Sequence, residues 1–193
     1  TLLMNKNKVY FNSDNNVYIT GAAETGFPVT SGSFQTTCNN GDAFISKLNN
    51  TGTDLIYSTF LGGNNGGDLG RSIAVNSNGE AIITGYSSGA GFPVTPGSFQ
   101  PYPNHEGTFV AKINHLGSAL LFSTFLGNGE STKIVIDSVG NSIITGYTVG
   151  VGFPITSNAF DTLFNGGTTD VFVSKLTPDG SSLIYSTFLG STY

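Results

Sequence analysis

The sequence predicts an all-β protein built from three copies of one four-stranded antiparallel unit. Two observations carry that expectation. The stretch Tyr57-Ser58-Thr59-Phe60-Leu61-Gly62 returns as Phe122-Ser123-Thr124-Phe125-Leu126-Gly127 and as Tyr185-Ser186-Thr187-Phe188-Leu189-Gly190, and self-similarity at a fixed period marks a repeat architecture. Each copy also holds four short runs rich in Val, Ile, Phe, Tyr and Thr, bounded by Gly and Asn clusters, which is strand patterning. No stretch shows capped helical periodicity. The 193 residues form one array, with copies over about 1–62, 63–127 and 128–193.

Further landmarks recur. Ile19-Thr20-Gly21 returns at Ile83-Thr84-Gly85 and Ile144-Thr145-Gly146, and Ser46-Lys47-Leu48 at Ala111-Lys112-Ile113 and Ser174-Lys175-Leu176. Phe27-Pro28 returns at Phe92-Pro93 and Phe153-Pro154. In the middle copy the strands are expected at 72–75, 81–86, 108–113 and 119–126. The first pair is joined by a hairpin with Asn15, Gly79 or Gly140 at its tight position, and the second pair turns around Gly52, Gly117 or Gly180. Gly and Asn tolerate the positive φ that such turns need. The second and third strands are joined by a long connection that carries the Phe-Pro pair, and a Gly-rich linker follows the fourth strand.

Four consecutive antiparallel strands per repeat suggest the blades of a β-propeller. Fourth-strand runs such as Leu55 to Leu61 are apolar on both faces, as a sheet between two neighbours requires. In alternating antiparallel strands, the two long connections of each blade share one end and the two short turns share the other. Length varies only in the long connections, so that end is the expected recognition surface. The set "I-A-V-N-S-N-G", "I-I-T-G", "F-P-V-T-P-G-S-F-Q", "F-V-A-K-I" and "L-L-F-S-T-F-L-G" resembles the bacterial SBBP family of β-propeller repeats over the whole chain. The resemblance implies a propeller in a large surface or secreted protein and no catalytic residues in the repeat itself. Closed propellers have about 4–8 blades. Three copies therefore need further blades of a parent chain or other copies of the same chain, or else form an open stack whose exposed edges are covered by partners.

Composition narrows the function. Charged residues are 10% of the chain and the net charge is −5 with only 7 Lys and Arg, which disfavours nucleic-acid binding. No apolar run is long enough for a membrane span. The Asn/Thr/Ser/Gly-rich, Lys-poor make-up points to an extracellular or cell-surface protein. The lone Cys38 excludes a disulfide within the chain, and such a cysteine serves as a loop thiol or a link between chains.

Candidate chemistry is sparse. The Phe-Pro pairs and Lys47, Lys112 and Lys175 recur in every copy, which marks them as architectural. Asp68 sits in a Gly-rich linker that faintly resembles a calcium nonapeptide, but one copy of that motif makes no site. His115 falls in a turn. Asp42 and Asp170 share a repeat position that the middle copy lacks, which weakens a paired-acid glycosidase reading. No Gly-x-Ser-x-Gly elbow is present. The least repeat-like loop supplies the ligand-binding candidates Tyr102, His105 and Glu106, an aromatic, an imidazole and a carboxylate suited to a sugar or peptide. No catalytic residue, metal ligand or cofactor is assigned. The expectation is a non-catalytic extracellular scaffold or adhesion module binding a glycan or protein. The alternatives are a subunit of a self-assembling filament or ring and a carbohydrate-active propeller enzyme.

Overall fold

The computed structural model describes residues 8–64, 67–88, 91–101, 106–150 and 152–190. Among them there are twelve strands and no helix. The first sheet holds β1 (Lys8–Phe11), β2 (Val17–Ala23), β3 (Asp42–Leu48) and β4 (Leu55–Leu61). The second holds β5 (Leu69–Val75), β6 (Ala81–Ser87), β7 (Gly107–Ile113) and β8 (Leu120–Gly127). The third holds β9 (Gly129–Ile136), β10 (Ser142–Thr148), β11 (Asp170–Leu176) and β12 (Leu183–Leu189). Each is a simple antiparallel meander in chain order. The sheets are blade-like and do not close on one another.

The sheets stack face to face. Residues of β2 to β4 that point one way, Tyr18, Ile45, Tyr57 and Leu61, form a core with Ile73, Ile83, Phe109 and Phe125 of the second sheet. The second sheet turns its other face, Ile82, Val110, Phe122 and Leu126, onto Ile144, Phe172 and Phe188 of the third. These cores lie between sheets because strand side chains alternate with period two, so every strand supplies both interfaces.

The Ser-Thr-Phe refrain has a local cause. The long connection folds back along the free edge of its own fourth strand. In the first blade Thr30 N–H donates to the Ser58 carbonyl at 3.0 Å, Gln35 N–H to Thr59 Oγ1 at 2.8 Å, and Phe60 N–H to the Gln35 carbonyl at 2.9 Å. Thr95/Ser123, Gln100/Thr124 and Phe125/Gln100 repeat the set, as do Thr156/Ser186, Asp161/Thr187 and Phe188/Asp161. An outer edge that would otherwise offer unpaired backbone groups is thereby satisfied. The Phe-Pro ring lies over the same blade: Phe27 is 4.4 Å from Phe44, Phe92 4.6 Å from Phe109, and Phe153 4.4 Å from Phe172, ring centre to ring centre. The second apolar face of the fourth strand is thus covered first by its own loop. The sequence expectation of a neighbouring blade accounted for only part of it.

The expected turns are present. Asn15, Gly79 and Gly140 have φ of 60°, 75° and 91°, and the strands they join lie close to the expected ranges. The largest difference is β5, which starts at Leu69 instead of 72. Gly70 pairs with Gly85 beside a bulge at Arg71, which carries the strand back to Leu69.

Candidate functional site

Two places break the threefold repetition. The first is at the end carrying the short turns, between the first and second blades. Position 47 of the first blade and its equivalents Lys112 and Lys175 sit at the same place in the third strands, because each pairs with the second residue of a second strand and the third residue of a fourth strand. In the second blade Lys112 Nζ lies 2.8 Å from Glu80, and in the third Lys175 Nζ lies 2.7 Å from Asp137. The acid comes from the first hairpin, at its last position in one blade and its first in the other. Asn76 and Asn141 fill the remaining position and donate to the acid at 2.7 and 2.8 Å. In the first blade both positions, Asn12 and Asn16, are amides. Lys47 has no carboxylate within ion-pair distance among the described residues. Its ammonium instead stands 5.2 Å from the centre of the Tyr18 ring.

Lys47 opens into a cleft of about 400 Å³, whose lining includes Tyr10, Asn12, Ser13, Asn78 and His115. Two hairpins and one turn build it, so amide and hydroxyl groups on short, hydrogen-bonded loops share its walls with the His115 imidazole and with the Asp14 carboxylate, which accepts from Asn12 Nδ2 at 3.3 Å. Asn12 Oδ1 accepts from the Asn16 N–H at 2.9 Å, and Asn76 Oδ1 from the Asn78 and Glu80 N–H groups at 3.0 Å. The lining is therefore held in place, and the cation is the group in it that lacks the partner its equivalents have.

The second break is at the loop end, between the second and third blades. Glu130 at the start of β9 pairs with Arg71 of β5 at 2.8 Å and accepts from Tyr147 Oη at 2.6 Å. Glu106, just before β7, accepts from Tyr86 Oη. Burial, the Glu106 hydrogen bond and the nearby carboxylates push the Tyr86 hydroxyl up to about 12. Two carboxylates unique to their copies thus meet two tyrosines, but each is already engaged. Of the candidates in the 101–106 loop, Glu106 is at this cluster, while Tyr102 and His105 lie outside the described residues. His115, expected as an exposed turn residue, is exposed and lines the Lys47 cleft.

Asp68 and Asp42 are structural. Asp68 is buried and accepts the Gly63 N–H at 2.8 Å, so the linker is tied down at that residue. Asp42 is also buried and accepts from Gln35 Nε2 at 2.8 Å and the Asn39 N–H at 3.1 Å. Among the described residues no three or more His, Cys, Asp or Glu side chains gather as a metal site. Burial raises both carboxyls above the ordinary 3.8, and the charge of Asp68 adds to the rise at Asp42. A raised acid binds its proton more tightly when folded, so its stabilising share is lost as pH rises from the ordinary carboxylate value through the folded one. Melting temperature should therefore climb as neutral solution is acidified toward that window, and an Asp42→Asn/Asp68→Asn variant should lack the climb. Further acidification, from the ordinary carboxylate value downward, protonates Glu80, where burial is outweighed by the Lys112 and Asn76 hydrogen bonds and the Lys112 charge, and Asp137, held low by Lys175 and Asn141, and so reverses the trend. A wild-type melting curve flat across that range would sink the assignment.

The loop-end cluster overlaps the surface expected from loop length. The Lys47 cleft does not, because it arises from a lost partner and leaves loop length unchanged. Its signal was present in the aligned hairpins Asn12/Asn16, Asn76/Glu80 and Asp137/Asn141, set against the lysine that each one faces. No protein-family model matches the chain, and no curated protein matches it.

Proposed function

We propose that this chain is a non-catalytic extracellular repeat module, a rigid scaffold that serves adhesion by binding a carboxylate-bearing glycan at the Lys47 cleft. The observation that carries the reading is the missing acid. Two of three blades neutralise this lysine internally at 2.7–2.8 Å, and the first leaves it facing a cleft. A ligand carboxylate restores the interaction, and a charge-assisted hydrogen bond of this kind is worth about 1.5–3 kcal/mol. A volume of about 400 Å³ suits a sugar-sized ligand. Tyr10 offers a ring and the surrounding Asn and Ser side chains offer paired donors and acceptors for hydroxyls. The Lys-poor, Asn- and Thr-rich composition supports a place outside the cell, as does the SBBP resemblance.

Titration calorimetry with an oligogalacturonate and with a neutral oligosaccharide of equal length tests this. The acidic ligand should bind better. Lys47→Met, which keeps the stem over Tyr18, should weaken binding by about tenfold or more. Asn16→Glu should do the same by rebuilding the pair seen at Glu80. Equal binding of both sugars, or of the acidic sugar by wild type and Lys47→Met, overturns the cleft assignment. Hydrolysis of the oligosaccharide overturns the non-catalytic half.

A further inference from the structure

The three blades are joined by a contact that occurs twice and is left half-made at both ends of the stack. Its first element is a phenylalanine in the long connection. Phe34 of the first blade donates its N–H to the Gly117 carbonyl of the second at 2.9 Å, and Phe99 of the second donates to Gly180 of the third at 2.8 Å. Both rings pack against the core between those blades. Its second element is an aromatic of the fourth strand. A Cβ on Gly117 would lie 2.4 Å from the Tyr57 ring, and one on Gly180 would lie 2.4 Å from the Phe122 ring. The turn glycine of each following blade is therefore pressed onto the aromatic of the preceding one. At φ of 70° it presents its carbonyl to the phenylalanine N–H. The third element is a leucine, Leu61 or Leu126, buried to 0% exposure in both cases.

Among the described residues, the third blade carries the giving half with no receiver. Phe160, the equivalent of Phe34 and Phe99, is 87% exposed. Leu189, the equivalent of the two buried leucines, is 46% exposed, and Val135, Tyr147 and Val171 of the same face are exposed with it. Among the described residues, the first blade carries the receiving half with no giver. Gly52 has φ of 71°, as Gly117 and Gly180 do, and its Cβ position meets nothing within 4 Å. On the outer face of the first blade Val9 and Phe11 are exposed, and Phe27 is half-buried where Phe92 and Phe153 are buried.

We propose that the open face of the third blade docks the first blade of a second copy of this chain. The Phe160 N–H then donates to the Gly52 carbonyl of that copy, Gly52 seats on Tyr185, and Leu189 is buried. The chain itself supplies the occupant, since it carries both halves of a contact that it makes twice internally. The contact is heterologous, so it propagates until it closes. Two copies make six blades, within the range of closed rings, and use both end faces of each chain. The docking contact follows from the repeat architecture, and none of Phe160, Tyr185, Leu189 and Gly52 lines the Lys47 cleft.

Mass in solution tests it, by sedimentation or light scattering at tens of micromolar. Wild type should weigh twice the 20.1 kDa of one chain. Leu189→Arg and Phe160→Asp should each return the mass to one chain with unchanged strand circular dichroism, because both side chains reach water in the single chain. Ile184→Arg is the control. Ile184 is 46% exposed, but so are its equivalents Ile56 at 46% and Leu121 at 47% in blades whose faces are filled, so it lies outside the contact. It should leave the double mass intact, as should Lys47→Met. Three results overturn the proposal: a wild-type monomer, which leaves the face to a further blade or a different protein; a dimer insensitive to Leu189→Arg and Phe160→Asp; or a dimer that Ile184→Arg dissolves equally well.

Discussion

Phe109→Ala should destabilise the chain by about 3–5 kcal/mol, the largest effect expected of a single side-chain truncation here. The ring is fully buried. On one side it meets Phe92 of its own long connection, and on the other it belongs to the core shared with Tyr57 and Leu61 of the first blade. Truncation therefore opens a cavity at the meeting of three elements, and none of them is free to collapse into it. The loop is pinned at Thr95 and Gln100, and the sheets are held by their ladders. A domain of this size is stable by about 5–15 kcal/mol, so the loss is a large part of the whole. Urea unfolding checks it: the midpoint should fall with the slope unchanged. Phe160→Ala is the contrast, since the side chain is exposed in the single chain and should cost that chain almost nothing.

Gly85→Ala should cost about 3 kcal/mol although it adds a single methyl group. A Cβ there would stand 1.9 Å from the Leu69 carbonyl oxygen and 2.8 Å from Phe109 Cε1. The first obstacle is backbone, so no rotamer change relieves it. The bulge at Arg71 drives that carbonyl onto β6, and the third blade repeats the arrangement, with 2.1 Å from a Gly146 Cβ to the Glu130 carbonyl. Gly146→Ala should thus behave alike. A thermal shift of either variant to within a degree or two of wild type would show that the sheet absorbs the methyl group and that the glycine is not required by close approach.

These two residues show how much of the fold was legible. Ile-Thr-Gly and Phe-Pro were plain as landmarks in the sequence, and so were the strands, the turns and the threefold count. Their reasons were not. Whether Gly85 marks a turn, a bulge or a near contact depends on where the Leu69 carbonyl goes, which is a matter of register between strands. Phe27, Phe92 and Phe153 were readable as loop anchors because they recur. That the same loops satisfy the fourth-strand edge was hidden, since it rests on backbone bonds from Thr30 and Gln35 to residues 24–28 positions away.

The candidate site follows the same division. Glu106 was singled out from an irregular loop, and it meets Tyr86. Lys47 was set aside because it recurs. Recurrence describes the residue and says nothing of its partner, and here the partner is what changed. Asn16 and Glu80 hold equivalent hairpin positions, a short amide in one blade and a longer carboxylate in the other, and only the fold brings Glu80 within reach of Lys112.

The sequence by itself determined the repeat, the strand content, the turn positions and the scarcity of charge, because each depends on local preference and on period. The tertiary structure alone decided which faces are covered. Leu61, Leu126 and Leu189 are the same residue in the same refrain, yet two are sealed and one is exposed. Burial is a property of what stands opposite. In a stack of like units the sequence repeats at every level, while what stands opposite each face does not.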